Sequence, residues 1–350
     1  MIMKIQLRKV CLMLLVVAGV SGCNSSNKEP VLSVLPQAEN VFRISFGSCN
    51  NHLEPNALWD DIYNANPQVF VWGGDIIYAD TDQVDKIESY YSELAQLPAY
   101  AKLASEVPIS GTWDDHDYGL NDGGATFEIK DESKEALLRF LKIPEDHPVR
   151  SHPGVYHKQE LAYGSHTVAI LHLDTRYFRS ALTEGEGDMR YQPGTYGEGT
   201  MLGEAQWSWL INEIQNSKDD LIVINSSIQV LSAEHGFEKW NNLPHERDRL
   251  LELINSSPVP VVILSGDRHI SEFSLLDPDT KRDFPLLDFT SSGLTHSYTG
   301  FSGEPNAYRV KEVVSTTSFG ILDIDFEAKV VQAYIVGDQR EVLESLEVEF

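Results

Sequence analysis

Short runs rich in apolar and β-branched residues recur along this chain, and each ends in a small or polar cluster. Val41 to Ser48 closes on "GSCN", Gln68 to Trp72 runs into "GGDIIY", and Val107 to Thr112 into "GTWDDHD". Thr167 to Leu173 leads to "LDTR", Leu221 to Ser226 to "INSS", Pro260 to Ser265 to "SGDRH", and a later run to "TSSG". Several runs are apolar at consecutive positions, as in strands buried on both faces. Ligands of α/β sheets bind beyond the carboxyl ends of strands, so the tails are expected to converge on one site.

The segments between the runs have helical spacing. Pro55 to Ala65 carries proline where a first helical turn favours it, and Asp82 to Leu103 is long and amphipathic. Glu204 to Asn216 and Glu246 to Ile254 complete the set, and Val155 to Leu161 with Thr167 to Leu173 reads as a hairpin turned at "YGS". The C-terminal part, "FSLLD", "FPLLDF", "FGILDIDF" and "VVQAYIVG", is strand after strand. The pattern predicts an α/β sandwich with two sheets packed face to face and helices outside, an αββα arrangement.

The N-terminus belongs to another kind of segment. Lys4, Arg8 and Lys9 precede the apolar run Val10 to Val20, too short to span a bilayer comfortably, which reads as a secretory signal over residues 1–22. It ends "VSGC", which resembles a bacterial lipobox, where Cys23 takes a diacylglyceryl group and becomes the new N-terminus. The plainer alternative is an ordinary signal peptidase site with a cysteine nearby. Residues 23–40 then form a polar tether and 41–350 one large domain. The lipobox reading implies export across the inner membrane of a bacterium, with the protein held by its lipid at the outer membrane, facing periplasm or cell surface. Losing the three cations of the signal takes the formal charge from −26 to −29, which repels nucleic acid. Cys49 becomes the only free thiol, so an internal disulfide is excluded and the residue is either a small buried hydrophobe or a functional thiolate.

Chemistry concentrates in the tails. "GGDIIYAD" holds Asp75 and Tyr78, "GTWDDHDYGLND" holds Asp114, Asp115, His116, Asp117 and Asn121, and "SGDRH" holds Asp267 and His269. Each alone has a bland reading: a turn, a solvated acidic loop, a structural histidine. Brought together without a cation, so many carboxylates and imidazoles would strand or repel one another, whereas around a metal they are ligands. Arg176 and Arg268 are candidates to neutralise an anionic ligand. Arg176 may equally pair with Asp174, and Arg268 would face away from its neighbours if the chain were extended there.

In order and spacing, "FGSCN", "GDIIYAD", "TWDDHDYGLND", "LDTRYFR", "MLGEAQWSWL", "SSIQV", "EKWNNLPHERDRLLELI", "LSGDRHISEF" and "TSSGLTHS" resemble the PhoD-like alkaline phosphatase family of metallophosphoesterases, from Phe46 to Phe326. The resemblance implies Fe3+ held by Cys49, Asp75, Tyr78 and His269. It also implies Ca2+ beside it, with Asp75 bridging and Asp115, Asn121 and Asp267 as further ligands. Thiolate, phenolate and imidazole suit a transition metal, and carboxylate and amide oxygens suit calcium, although zinc or manganese remain open for the tighter position. The implied activity is hydrolysis of phosphate mono- or diesters by metal-activated water, with His116 and Arg176 acting on the phosphoryl group. Substrates range from small phosphate esters to phospholipid or polymer phosphodiesters. Known members carry an additional N-terminal β domain where this chain has a short tether, and some carry a C-terminal helix that shields the site and is not expected here, so the resemblance implies a more open site that admits bulkier substrates. Two rival readings are a non-catalytic surface lipoprotein that binds phosphate or calcium, and a glycosidase using Asp115 and Asp117.

Overall fold

The structure is a computed structural model and describes residues 33–350. The signal segment, Cys23 and most of the expected tether lie outside the described residues. Along the chain the strands are β1 (Ser33–Val34), β2 (Phe42–Gly47), β3 (Val69–Gly73), β4 (Ile109–Thr112), β5 (His157–Tyr163), β6 (His166–His172), β7 (Thr183–Glu184) and β8 (Tyr191–Gln192). They continue with β9 (Leu221–Asn225), β10 (Val261–Ser265), β11 (Ser271–Leu276), β12 (Leu286–Ser291), β13 (Arg309–Val314), β14 (Phe319–Asp325), β15 (Val330–Val336) and β16 (Glu341–Glu349). The helices longer than one turn are α1 (Trp59–Asn64), α2 (Val84–Gln96), α3 (Pro98–Glu106), α4 (Asp115–Tyr118), α5 (Lys130–Phe140), α6 (Gly203–Gln215) and α7 (Pro244–Asn255).

Two seven-stranded sheets result, ordered β1-β16-β15-β14-β2-β3-β4 and β13-β11-β12-β10-β9-β6-β5. In the first, β2, β3 and β4 are parallel; in the second, β6, β9, β10 and β12 are parallel. Alternate side chains of these strands separate two environments. Phe42, Ile44, Phe46, Val69 and Val71 meet Val168, Ile170, Val223, Val262 and Leu264 between the sheets. The intervening Phe70 and Trp72 turn outward under α1, α2, α3 and α5, while Ile222, Ile224 and Ile263 turn outward under α6 and α7. Both faces are therefore covered, which is why the runs are continuously apolar. The αββα expectation is met.

Several expected boundaries change. The single helix over Asp82 to Leu103 is two, because Leu97 is extended and Pro98 starts α3. The tether expected through residue 40 ends earlier: Ser33 and Val34 pair with β16, and Leu35 is buried and bonded to Arg340. The hairpin turns on two residues, Gly164 and Ser165, between the paired Tyr163 and His166.

At their carboxyl ends the sheets are joined by polar contacts instead of apolar ones. Ser48 bridges Ser292, the Asn225 amide donates to the Trp72 carbonyl (2.7 Å), and the Thr112 hydroxyl donates to the Leu173 carbonyl (2.7 Å). His172 accepts at Nδ1 from Asn225 (3.0 Å), which leaves Nε2–H to donate to Ser110 Oγ (2.6 Å). His157 stacks on His172 at 4.5 Å and donates from Nδ1 to the Val155 carbonyl. Both rings are buried, and burial depresses His172 well below the usual imidazole value and His157 to about 4. Between pH 6.5 and 4 the unfolded chain takes up a proton that His157 in the fold refuses. Stability is therefore complete above pH 6.5 and falls as pH drops through that window. The unfolding free energy of the wild type, from urea titrations, is expected to fall more steeply from pH 6.5 to 4 than that of His157→Gln, the difference reaching about 3 kcal/mol.

Candidate active site

The parallel strands bring their tails to one edge, and each tail turns sharply on leaving its sheet. Cys49, Asp75, Asp267 and His269 all have left-handed backbones, with φ of 58°, 50°, 68° and 53°. Such conformations cost of order 1 kcal/mol or more for residues with a side chain, so surrounding contacts must hold them. The Asn50 amide donates to the Asp75 carbonyl (2.9 Å), and the His269 amide donates to Ser292 Oγ (2.7 Å). Gly74, at φ 98°, lets the turn after β3 lie against the turn after β4, since a Cβ there would stand 2.5 Å from Asp114 Cβ.

The side chains meet in two overlapping groups. Cys49 Sγ lies 3.3 Å from Asp75 Oδ2 and 3.0 Å from Ser292 Oγ, and Tyr78 OH lies 3.1 Å from Nε2 of both His269 and His296. One ligand atom from each of Cys49, Asp75 and His269 falls within 4.8 Å of the others. The same holds for Asp75, Asp115 and His116, for Asp114, Asp115 and Asp267, and for Asp115, Asp122 and Glu238. Asn121 joins the acidic side, its amide donating to Asp115 Oδ2 (3.3 Å).

The electrostatics show what this cluster lacks. Burial, with Cys49 and Asp115 adding to it, pushes the Asp75 carboxyl well above the usual range. Burial and Asp115 raise Asp267 to about 7, burial raises the Cys49 thiol to about 11, and burial with His296 and His116 lowers His269 to about 4. Asp115 is the exception: burial opposes its charge, but Arg176, His116 and the Asp122 amide hold it below the ordinary carboxylate value. Asp114 Oδ2 is buried with no hydrogen-bond partner among the described residues. Cations among these atoms would favour the charged carboxylates and thiolate and use the unpartnered oxygen. The donors fit the two kinds of metal expected, soft atoms and imidazole on one side and oxygens on the other.

A cavity of about 420 Å³ opens over the acidic side, lined by Asp115, His116, Asn121, Asp267, His269 and others. His116 stacks on Tyr78 at 4.1 Å and binds Asp80 through Nδ1 at 2.8 Å, leaving Nε2 without a protein partner among the described residues. Burial disfavours its charge, yet Asp75, Asp80 and Asp115 outweigh this and push it up to about 10.

Arg176 does not line the cavity. It is fully buried, donating from Nε to Asp114 (2.6 Å) and from Nη1 to Glu238 (2.6 Å), while Asp174 takes only its backbone amide. Direct contact with substrate does not fit this placement, because the guanidinium is committed to two carboxylates. Arg268 takes the opposite outcome. Asp267 and His269 are left-handed rather than extended, so alternation does not apply and all three residues line the cavity. Asp117 is spent on structure, accepting from the Asp114 amide (2.6 Å) and the Ile76 amide (3.1 Å), so Asp115 and Asp117 do not form an available catalytic pair. Sequence reasoning missed Asp80, Asp122 and Glu238 as site residues. Asp80 closes "GGDIIYAD", Asp122 closes "GTWDDHDYGLND" and Glu238 opens "EKWNNLPHERDRLLELI", so all three were within reach of those motifs, although Glu238 comes from an irregular loop with no periodic signal. Removing one partner of a buried ion pair leaves uncompensated charge, so Arg176→Met should lower stability by about 3–5 kcal/mol, read as a fall in the thermal midpoint.

The sequence matches the model of the PhoD-like phosphatase family over residues 44–335. Among curated proteins none matches it. The fold resembles the structure of PhoD, with a TM-score of 0.66 and 17% identity, covering 90% of this chain and 70% of that one. It also resembles a dimetal phosphatase from Danio rerio, with a TM-score of 0.55 and 14% identity, covering 89% of this chain and all of that one. These two likenesses establish the fold, and the match over most of the sequence establishes descent. The chain belongs to the PhoD-like phosphatase family, and its activity is metal-dependent hydrolysis of phosphoric esters.

Proposed function

We propose that this phosphatase hydrolyses phosphate mono- or diesters at a mixed centre, with Fe3+ held by Cys49, Asp75, Tyr78 and His269. Ca2+ is held by Asp75, Asp115, Asn121 and Asp267. The observation that carries the reading is the division of donors around one shared carboxylate. Thiol and imidazole gather on one side of Asp75, and Asp115 stands on the other. Bound there, the cations supply charge that lowers the pKa of water and neutralises phosphoryl oxygens.

The protein's own groups do the rest. Asp80 fixes the His116 ring by Nδ1, so Nε2 serves a phosphoryl or leaving oxygen. Arg176 acts from below, positioning Asp114 and Glu238 and lowering Asp115. The backbone amides of His116 and Asp122 donate to the two oxygens of Asp115, which orients that carboxylate in its ionised form.

The enzyme acts outside the cytoplasm, anchored by lipid on Cys23. The basic and apolar residues 4–20 and the cysteine following "VSG" support this placement.

Asp75→Ala should reduce hydrolysis of a nitrophenyl phosphate by at least a thousandfold while the thermal transition remains cooperative. Protein purified without added metal should show a visible charge-transfer band that Tyr78→Phe abolishes; an unchanged band in that variant excludes tyrosinate ligation. Cys23→Ser should move the protein from the detergent-extracted membrane fraction to the soluble fraction.

A further inference from the structure

The cavity also has lining residues that are not candidate metal ligands, and their composition is different. They are Arg190, Phe237, Arg268, Ser297 and Tyr298. Phe237 is 39% exposed and Tyr298 46% exposed. Among the described residues seven large apolar side chains are this exposed, and these two line the cavity while Leu120 and Met189 adjoin its lining residues Asn121 and Arg190. Apolar exposure gathered at the mouth of a polar site points to a ligand with an apolar part.

Both aromatic residues are held in place. The Arg268 guanidinium lies 4.0 Å from the centre of the Phe237 ring, and its Nη2 is fastened to Glu304 at 2.8 Å. The Tyr298 amide donates to the carbonyl of His269 at 2.7 Å, so this aromatic residue is tied to the metal-ligating turn itself. Arg268 Nε has no hydrogen-bond partner among the described residues, although the residue is only 7% exposed. A buried guanidinium N–H without an acceptor in a substrate cavity is suited to an anionic oxygen.

We propose that Phe237 and Tyr298 are specificity-determining residues that grip a planar or apolar ester arm, while Arg268 Nε donates to an oxygen of the same substrate's phosphoryl group. The substrate class is then a phosphate ester of an aromatic or otherwise apolar alcohol. This rests on the phosphoesterase reading of the cavity.

The test uses phenyl phosphate and ethyl phosphate, each with a single ester arm, assayed by phosphate release with the metal-loaded full chain. In Phe237→Ala and Tyr298→Ala, kcat/KM should fall at least fivefold further for phenyl phosphate than for ethyl phosphate, mainly through KM. Phe237→Tyr should restore the wild-type ratio, and Arg268→Lys should raise KM for both esters by a similar factor. Equal losses on the two esters in the alanine variants would overturn the aromatic grip, and an unchanged KM in Arg268→Lys would overturn the anion contact. A wild type that hydrolyses neither monoester nor the diesters methyl phenyl phosphate and diethyl phosphate would remove the phosphoesterase reading, and the specificity proposal with it.

Discussion

Crowding the buried Asp75, Asp114 and Asp115 and the half-buried Asp267 together around Asp115 at the edge of a sandwich sets the terms for everything around them. Like charges in a poorly solvated space repel, and each carboxylate raises the proton affinity of the next. The fold answers with two buried cations, Arg176 held between Asp114 and Glu238 and Arg179 against Glu238 at 2.9 Å, and with amides aimed at Asp115. Two guanidiniums do not balance this many acids, and Asp75 and Asp267 are still pushed well up by burial. The remaining deficit of positive charge is the physical basis for a metal centre in this family member.

The sandwich makes such crowding possible. Between the sheets the contacts are apolar, but where the parallel strands end they give way to serine, threonine, asparagine and histidine bridging one sheet to the other. That polar belt fixes the separation of the sheet edges, and the left-handed turns at Cys49, Asp75, Asp267 and His269 sit directly beyond it. Strain at four candidate ligand positions persists only on a base with little freedom to relax, so dynamics at this edge should be small.

Much of this was legible in the sequence because the strands are covered on both sides and so appear as continuous apolar runs. Their polar ends stand out against that background. Asp122 and Glu238 stood inside motif stretches, Asp122 closing "GTWDDHDYGLND" and Glu238 opening "EKWNNLPHERDRLLELI", but their loops follow no period and acidic residues are common throughout so negative a chain, so nothing in the sequence aimed them at the site. Helix α5 was also hidden: its buried positions include Ser133 and Lys134, so the apolar face that marks a helix is incomplete. Arg176 and Arg268 were told apart only by backbone geometry. One follows a strand and turns inward to a buried pair, whereas the other sits between two left-handed residues that bring it to the cavity.

The thiol of Cys49 is the sharpest single element of the account, since a raised pKa makes it a poor thiolate unless a cation holds it in that form. X-ray absorption at the edge of the metal retained by the purified protein reads this directly. A sulfur neighbour at bonding distance that disappears in Cys49→Ala is the expected result. A spectrum fitted by oxygen and nitrogen alone, identical in wild type and variant, would contradict it.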